Sequence, residues 1–344
     1  MRSSYIEFYY LTEEELAKLW KEGLIVFDTN VLLSLYRLSK EARDEILAVM
    51  KGYDSRLWLP HQVGYEYHEN RLDRAKSPID ELSGLEKEIE DFSKKIRNTF
   101  IGNPYIDYKK LNSTLNSFGN KTSKLIKEWS AQCPNPVYQD SILEELTQLY
   151  DGKIGKEYNQ DKLDEIYGMG RERYKKKEPP GFKDVNKPGG DRHCYGDLII
   201  WFQIMECAKH SDRDIIFVTD DCKEDWWALY KDDKLGPRRE LIREFRRSTG
   251  NHLIWFYTTG RFLEKAKKEL GISVKAKTID EVKQPSLDWS SIRGMDSDSG
   301  RVSSQSSRGA DLSIAEDSEI DEVGTVSNSF TEGNKSDIDD CKGE

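Results

Sequence analysis

The sequence predicts an α/β protein in which helices cover both faces of a central parallel sheet. Short apolar runs that end in an acid or a turn residue are typical of buried strands, and most of the segments between them have the apolar spacing of helices. Because strands alternate with helices along the chain, the strands are expected to lie parallel and to be buried on both faces.

Four apolar runs are the predicted strands. They are LIVFD (residues 24–28), LWLP (57–60), DIIFVTD (214–220) and HLIWFY (252–257). The predicted helices are VLLSLYRLSKEARDEILAVM, HQVGYEYHENRLDRAK, GDLIIWFQIMECAKH, PRRELIREFRRSTG and FLEKAKKELG. Gly250 is the expected stop of the fourth of these helices, because glycine commonly ends a helix.

Two segments depart from this alternation and define the predicted domains. Residues 72–190 contain a charged helical stretch, a polar loop, a second helix near residues 141–150 and a Pro- and Gly-rich return, EPPGFKDVNKPGG. We interpret them as a helical insertion in a domain formed by residues 1–71 and 191–281. Residues 282–344 are expected to be a disordered acidic tail, since a segment so rich in Ser and Asp cannot bury enough apolar surface to fold.

The negative charge of the chain is concentrated in that tail. The chain has 53 Lys and Arg, 63 Asp and Glu and a net charge of -10. Residues 285–344 alone contain 14 acids and 5 bases, so residues 1–284 are almost neutral. The overall acidity therefore does not argue against a polyanionic substrate for the folded part.

Composition argues against several classes of protein. No run approaches the roughly 18 consecutive apolar residues of a membrane span, and the start of the chain lacks the apolar stretch of a signal peptide. A cytoplasmic protein with no membrane partner is expected. The five cysteines are scattered and form no C-x-x-C pair, which argues against a disulfide framework or a zinc finger.

Three acids directly follow predicted strands. Asp28 ends the first strand, and Asp220 and Asp221 end the third. Ligands of open α/β sheets bind beyond the carboxyl ends of the strands, so these carboxylates are candidate site residues. A helix cap is an equal alternative for Asp28, and a solvated turn is the alternative for the pair. Asp225, on the same loop, is a candidate outer acid or cap.

Two further acids are expected near this edge of the sheet. Asp197 opens the apolar helix GDLIIWFQIMECA, where a cap is again the alternative. Glu66 lies in the helix after LWLP and shares a face with Glu69 and Asn70, where a solvated face is the alternative and is preferred for Glu69. Together the candidate acids form a pocket of hard oxygen ligands that suits Mg²⁺ or Mn²⁺. Such a site can activate water for the hydrolysis of a phosphodiester bond.

Two basic segments are candidate nucleic-acid contacts. The helix PRRELIREFRRSTG places Arg239, Arg243 and Arg246 or Arg247 on one face, which suits a phosphate backbone, with a solvated stripe as an equal alternative. RERYKKK is the stronger candidate, since bases around an aromatic ring, here Tyr174, suit single-stranded nucleic acid. The bases of this segment are Arg171, Arg173, Lys175, Lys176 and Lys177.

Four motifs resemble, in this order, the bacterial PIN-like domain family of the PIN and flap-nuclease superfamily. They are LIVFDTNVLLSLY, LPHQVGYEYHENR, PGFKD with YGDLIIW, and IIFVTDDCKEDWW, and they lie within residues 24–71 and 180–260. The resemblance implies a Rossmann-like PIN fold and a divalent-metal nuclease. It implies catalytic roles for Asp28, Glu66, Asp197 and the pair Asp220 and Asp221, of which all but Glu66 would be metal ligands. Asp221 is the first choice of the pair, because PIN domains commonly have Thr-x-Asp at this position.

The resemblance also bears on substrate and partners. PIN relatives act on RNA more often, whereas flap-type relatives cut DNA, so RNA is favoured and single-stranded or structured DNA is the alternative. Relatives of this subgroup look like components of bacterial defence loci, which suggests an antiviral effector. Both ends of the predicted insertion lie beside the presumed site, so we expect it to select the substrate or to bind a protein partner of a defence complex.

Two other classes of function compete with a nuclease. LIVFDTN also fits a phosphatase of the haloacid dehalogenase type, but that chemistry needs a second Asp two residues after the first, and Asn30 stands there. The other alternative is a non-catalytic module that binds nucleic acid or a partner, in which the acids are only caps.

Overall fold

A computed structural model describes residues 1–133, 135–231 and 233–283, and these lie in one compact unit. The predicted tail therefore lies outside the described residues, apart from its first two positions. None of the helices in the described part of the chain is long and apolar enough to cross a membrane.

The described residues contain five strands and twelve α-helices. The strands are β1 (Leu24–Phe27), β2 (Ile215–Val218), β3 (Trp227–Tyr230), β4 (Asp233–Pro237) and β5 (Ile254–Tyr257). The helices are α1 (Glu13–Glu22), α2 (Thr29–Ser34), α3 (Lys40–Gly52), α4 (His61–Phe100), α5 (Tyr108–Gln132), α6 (Ser141–Tyr150), α7 (Gln160–Lys175), α8 (Asp191–Cys194), α9 (Gly196–Ser211), α10 (Arg239–Thr249), α11 (Thr259–Leu270) and α12 (Ala276–Lys283).

The core of the fold is a parallel sheet in the order β1-β2-β5, as the sequence predicts. In register, Phe27 lies beside Val218 and Val218 beside Tyr257. All residues of β1 and β2 are buried, which is why both strands are continuous apolar runs without alternation. Since all three strands run the same way, the residues that follow them meet at one edge of the sheet.

Successive side chains of the strands pack against helices on opposite faces of the sheet. On one face, the ring of Phe27 lies 5.3 Å from that of Phe262 in α11. On the other face, the ring of Phe256 lies 6.5 Å from that of Trp201 in α9. The helical spacing seen in the sequence thus corresponds to two layers that cover one sheet, which is the predicted fold class.

Three predictions about single elements differ from the structure. LWLP does not form a strand: Leu57 and Leu59 make only isolated parallel bridges, to Ile25 and Ile154. The helix predicted after the first strand is two helices, α2 and α3, because Ser39 caps the second by accepting a hydrogen bond from the backbone of Ala42. The polar loop predicted before residue 141 is mostly the 25-residue helix α5.

The predicted insertion begins within α4, a single helix of 40 residues that continues through residues 71 and 72. The distal half of α4 packs against α5 as an antiparallel helical hairpin. Within this hairpin, Arg97 of α4 donates hydrogen bonds to Asn112 and Asn116 of α5. The later helices α6 and α7 return to the body. Their side chains, including Leu146 and Ile166, are buried in the same core as the sheet.

Candidate active site

Asp28 lies at the carboxyl end of β1 and is bound to the end of the neighbouring strand. Thr219, which follows β2, donates a hydrogen bond from Oγ1 to Asp28 Oδ2 at 2.7 Å. The side-chain amide of Asn30 donates to the same oxygen at 2.5 Å, and the backbone of Thr29 donates to Oδ1 at 2.8 Å. Asp28 is therefore the cap of α2, as one interpretation expected, and its carboxylate also lies at the sheet edge, as the other required.

Glu66 reaches the same edge from the second turn of α4. Its Oε2 accepts a hydrogen bond from Thr29 Oγ1 and its Oε1 accepts one from Gln62 Nε2, both at 2.9 Å. Gly196 leaves room for this carboxylate, because a Cβ at that position would overlap Glu66 Oε1. Since Gly196 immediately precedes Asp197, the same contact brings the start of α9 next to Glu66.

Asp197 opens α9 and is partly buried between the sheet edge and the loop after β2. Trp226 donates a hydrogen bond from its indole nitrogen to Asp197 Oδ2 at 3.2 Å. Gly181 lies on its other side, where an added Cβ would come within 2.9 Å of the Asp197 Cβ. The glycine thus allows the return loop of the predicted insertion to approach this carboxylate closely.

The structure separates the two neighbouring acids Asp220 and Asp221. The carboxylate of Asp220 accepts hydrogen bonds from the backbone and the hydroxyl of Thr259, at 2.8 and 2.6 Å, and so lies at the start of α11. Asp221 instead faces Lys223, whose backbone nitrogen donates to Asp221 Oδ1 at 2.8 Å. Of the pair, Asp221 is the acid whose charge acts on Asp28 and Asp197.

A lysine ammonium lies among these carboxylates. Lys223 Nζ is 3.0 Å from Asp221 Oδ2 and 2.9 Å from Asp184 Oδ1. Burial lowers the pKa of Lys223, but the charges of Asp197, Asp184 and Asp221 outweigh it and raise that pKa above its ordinary value. The ammonium is therefore held as a cation by three acids that come from different segments of the chain.

Burial and mutual repulsion disfavour the charged forms of two of the acids. Burial, together with the nearby charges of Glu66 and Asp221, raises the pKa of Asp28 to about 7, although hydrogen bonds from Thr219 and Thr29 oppose this shift. Burial also raises the pKa of Asp197 well above its usual range; the Lys223 ammonium opposes this shift. Perturbed carboxylates of this kind cluster at functional sites.

The donor set fits Mg²⁺ or Mn²⁺, although the side chains as they stand do not enclose a cation. Within the described ranges, no three His, Cys, Asp or Glu side chains converge as a ready group of ligands. The residues at this edge are nevertheless carboxylates, which are the ligands these ions prefer. The Lys223 ammonium already bridges two of them, Asp184 and Asp221, so a positive charge is stable at this position.

The predicted basic residues have different environments. Arg173 is largely buried and forms a two-pronged ion pair with Glu244, at 2.5 and 2.9 Å. Arg243 pairs with Glu7 at 2.6 Å, and the Arg239 guanidinium lies over the ring of Phe8. The other predicted bases, on or just after α7, are exposed: Arg171, Lys175, Lys176 and Lys177.

Tyr174, the aromatic residue within the predicted basic segment, is buried rather than available for base stacking. Its ring lies 5.0 Å from that of Tyr195, and its hydroxyl is close to Gly181, beside Asp197. This packing places Tyr174, which directly precedes the exposed bases Lys175 to Lys177, beside the acidic edge of the sheet.

Two residues that organise this site, Asp184 and Lys223, were not among the predicted candidates, whereas Asp225 was a predicted outer acid or cap. Asp184 and Lys223 form the ion pair described above, and Asp225 is fully buried, with one oxygen bound to the backbone of Lys183 and the other without a partner in the structure. Asp184 is the last residue of the motif PGFKD, which was a signal available in the sequence. No local pattern indicated the position of the Lys223 side chain.

The fold and the site define a Rossmann-like α/β protein whose acidic residues gather at the carboxyl edge of a parallel sheet. A family model described as a PIN like domain matches residues 24–241. The chain therefore belongs to the PIN-like domain family, which is of a nuclease-type superfamily. Searches of curated proteins and of solved structures gave no match.

Proposed function

We propose that this protein is a divalent-metal-dependent nuclease that hydrolyses phosphodiester bonds of nucleic acid at the carboxyl edge of its sheet. The observation that carries the proposal is the gathering of Asp28, Glu66, Asp197 and Asp221 from four separate segments in a PIN-like fold. Capping alone does not require so many carboxylates to be close enough to raise the pKa of Asp28 and of Asp197.

In this proposal Asp28, Asp197 and Asp221 hold Mg²⁺ or Mn²⁺, and Asp184 is a further candidate ligand. The ion, when bound, supplies a Lewis acid and lowers the pKa of a bound water. Thr219 and Asn30 fix the carboxylate of Asp28, since both donate to its Oδ2. Glu66 is the outer acid, held in place by Thr29 and Gln62, and Asp220 serves α11.

RNA is the favoured substrate, with single-stranded or structured DNA as the alternative. Lys175, Lys176 and Lys177 directly follow Tyr174 and are exposed, which suits contacts to phosphates. Lys175 also pairs with Glu172 at 2.8 Å. Arg171 shares this surface but pairs with Asp191 at 3.1 Å. A cytoplasmic role in antiviral defence, with the helical insertion as the surface for substrate or a protein partner, completes the proposal.

The test is a cleavage assay on end-labelled single-stranded RNA, single-stranded DNA and duplexes, with Mg²⁺, with Mn²⁺ and with excess chelator. Asp28→Asn and Asp221→Asn should each lower the rate by about a hundredfold or more, as expected for loss of a group that stabilises transition-state charge. Asp220→Asn is the matched control, because an amide can still bond to Thr259. Full activity in chelator, or wild-type rates for both variants, would refute the proposal.

A phosphatase of the haloacid dehalogenase type is separated by the same assay. Residue 30 is an amide that donates to Asp28, so the second acid of that chemistry is not at its required position. Release of phosphate from a small phosphomonoester without cleavage of any nucleic acid would favour the phosphatase. Metal-dependent binding of nucleic acid with no turnover would favour the non-catalytic module.

A further inference from the structure

The α4–α5 hairpin has a well-defined inner seam. Arg97 of α4 donates to Asn112 Oδ1 at 2.8 Å, and Ser123 of α5 donates to Glu86 Oε1 at 2.5 Å. These two contacts fix an antiparallel register. Glu86 precedes Arg97 by eleven residues on α4, and its partner Ser123 follows Asn112 by eleven residues on α5. Leu115 and Ile126 are buried at the seam on the α5 side.

A second, apolar face of the same hairpin is exposed to solvent. Its residues are 39 to 57% exposed: Leu85 and Phe92 on α4, and Phe118, Leu125 and Trp129 on α5. Spacings of seven and four residues place each set on one side of its helix. On both helices the set lies about a quarter turn from the seam, and the two sets face the same side of the hairpin. In the antiparallel register, Phe92 is level with Phe118, and Leu85 is level with Leu125, to within one residue.

A contiguous apolar strip of this size marks an interaction surface. Two helices bury only one seam, whereas an antiparallel four-helix bundle buries two faces of every helix. A second hairpin laid on this strip would complete such a bundle. The strip extends over about eleven residues of α5, or roughly 16 Å at 1.5 Å per residue.

The charges beside the strip fit a second copy of the same hairpin. Helix α5 has five lysines and one glutamate, whereas the distal part of α4, residues 79–100, has six acids and four bases. A two-fold axis parallel to the helices places α4 of one copy on α5 of the other, so the acidic helix faces the basic one. Nucleic acid is a poorer fit, because the acids of α4 share this face and repel phosphates.

One pair of oppositely charged residues, Glu88 and Lys121, would meet in the two-fold arrangement of two hairpins. Glu88 lies three residues after Leu85 and Lys121 three residues after Phe118, so both flank the strip on the side away from the seam. They lie level with each other along the hairpin, and neither forms an ion pair within the described part of the chain. Under the two-fold axis, Glu88 of each copy faces Lys121 of the other.

We propose that two copies of this protein associate through the apolar face of the α4–α5 hairpin, as an antiparallel four-helix bundle with Glu88 facing Lys121 across the two-fold axis. The dimer leaves the acidic edge of each sheet free. The proposal is independent of the nuclease proposal, because no residue of the strip belongs to the candidate site.

The test is sedimentation velocity of the full chain at about 1 to 100 µM, the range of a micromolar interface. The wild type is expected to form a reversible dimer, and Phe118→Asp with Leu125→Asp is expected to be a monomer. Ser113→Asp with Asn120→Asp is the control, since it adds the same charge at the same spacing on exposed positions outside the strip. This control should remain dimeric, and all variants should keep the helical circular dichroism of the wild type.

Charge reversal tests the orientation. Lys121→Glu alone and Glu88→Lys alone should each weaken the dimer about tenfold, and the two changes in one chain should restore it. A wild type that is monomeric at all concentrations, a dimer that survives the Phe118 and Leu125 changes, or a double reversal without rescue would overturn the proposal. It would also be overturned if the strip variant lost affinity for single-stranded RNA with no change of mass, which would assign the face to nucleic acid.

Discussion

Lys223 holds both oxygens of Asp221: its backbone nitrogen donates to Oδ1 at 2.8 Å, and its ammonium lies 3.0 Å from Oδ2. The same ammonium contacts Asp184. A bound cation and this ammonium would therefore require the same carboxylate oxygens. Lys223 stabilises the acids of the ion-free protein, and under the proposed function it would oppose the binding of a divalent ion.

We therefore expect Lys223→Gln to bind Mn²⁺ more tightly than the wild type, by roughly tenfold or about 1.4 kcal/mol. Isothermal titration calorimetry on chelator-treated protein measures this affinity directly. Without metal, the same variant should unfold at a lower temperature, because the carboxylates lose their counter-charge. Lys187→Gln is the control, since Lys187 lies 3.6 Å from Asp184 but is half exposed. Equal or weaker Mn²⁺ binding by folded Lys223→Gln would contradict this account.

The stability of the metal-free protein should fall as the pH rises. Asp28 has an ordinary pKa of 3.8 that is raised to about 7 in the fold, so the folded state binds its proton more tightly than the unfolded state. The resulting stabilisation is complete below pH 3.8 and is lost as the pH passes 7. The loss attributable to Asp28 is up to about 4 kcal/mol, at about 1.4 kcal/mol per pH unit.

Urea unfolding in chelator at pH 5 and at pH 8 measures this effect. Asp28→Asn should flatten the pH dependence, because the amide does not titrate. Added Mn²⁺ should restore stability to the wild type at pH 8 more than at pH 5, since ion binding favours the charged carboxylates. A wild type that is more stable at pH 8 than at pH 5 without metal would be inconsistent with the raised pKa.

Gly196→Ala should disturb the site more than its small size suggests. A methyl group at this position overlaps Glu66 Oε1, so Glu66 or the start of α9 must move, at a cost of about 1 to 3 kcal/mol. We expect a lower melting temperature and a lower rate of metal-dependent cleavage. Gly168→Ala is the matched helical control, because nothing lies within 4 Å of its added Cβ and alanine favours a helix by up to about 1 kcal/mol. If the Gly196→Ala protein were as stable and as active as the wild type, the close approach of Gly196 to Glu66 would not be required by the site.

The residues of the predicted basic segment should differ in role: Arg173 should stabilise the fold, whereas Lys175 to Lys177 should contact nucleic acid. Arg173→Ser should lower the free energy of unfolding by roughly 2 to 4 kcal/mol, because the Glu244 carboxylate loses its counter-charge and keeps only the hydrogen bond from the Trp201 indole. Replacing Lys175, Lys176 and Lys177 with Ser should leave stability nearly unchanged. This triple variant should bind single-stranded RNA more weakly and with a smaller dependence on salt, which filter binding at several salt concentrations measures. Unchanged affinity and salt dependence would exclude these lysines from the substrate surface.

The parallel sheet, and the position of Asp28 and Asp221 at its edge, could be predicted from the sequence for a physical reason. Buried parallel strands are continuous apolar runs, and Asp28 and Asp221 follow two of them, so topology alone brings both acids to one edge. Helix α5 is missed because Asn112, Asn116 and Asn120 interrupt its apolar spacing with residues that favour turns. Its stability comes from packing on α4, which a local pattern does not contain.

The hairpin β3–β4 and the position of Lys223 are missed for the same kind of reason. The segment WWALY (226–230) is a short apolar run, but Leu229 and Tyr230 are exposed, and the strand depends on pairing with β4, which a local pattern does not contain. Lys223 looks like a surface lysine in the sequence, and only the folded chain brings Asp184 from the return loop to it, beside its local partner Asp221. The separation of Asp220 from Asp221 likewise depends on Thr259, which lies far along the chain.

Helix α4 also connects the candidate site with the apolar strip of the hairpin. At 1.5 Å per residue its 40 residues form a rod of about 60 Å, with Glu66 near its root and the apolar strip toward its tip. Pro78 lies between the two and removes a backbone hydrogen bond within the rod. The backbone hydrogen bonding of the helix is therefore weakest around residue 78, and we expect any bending of α4 to occur there and to leave Glu66 in place beside Thr29.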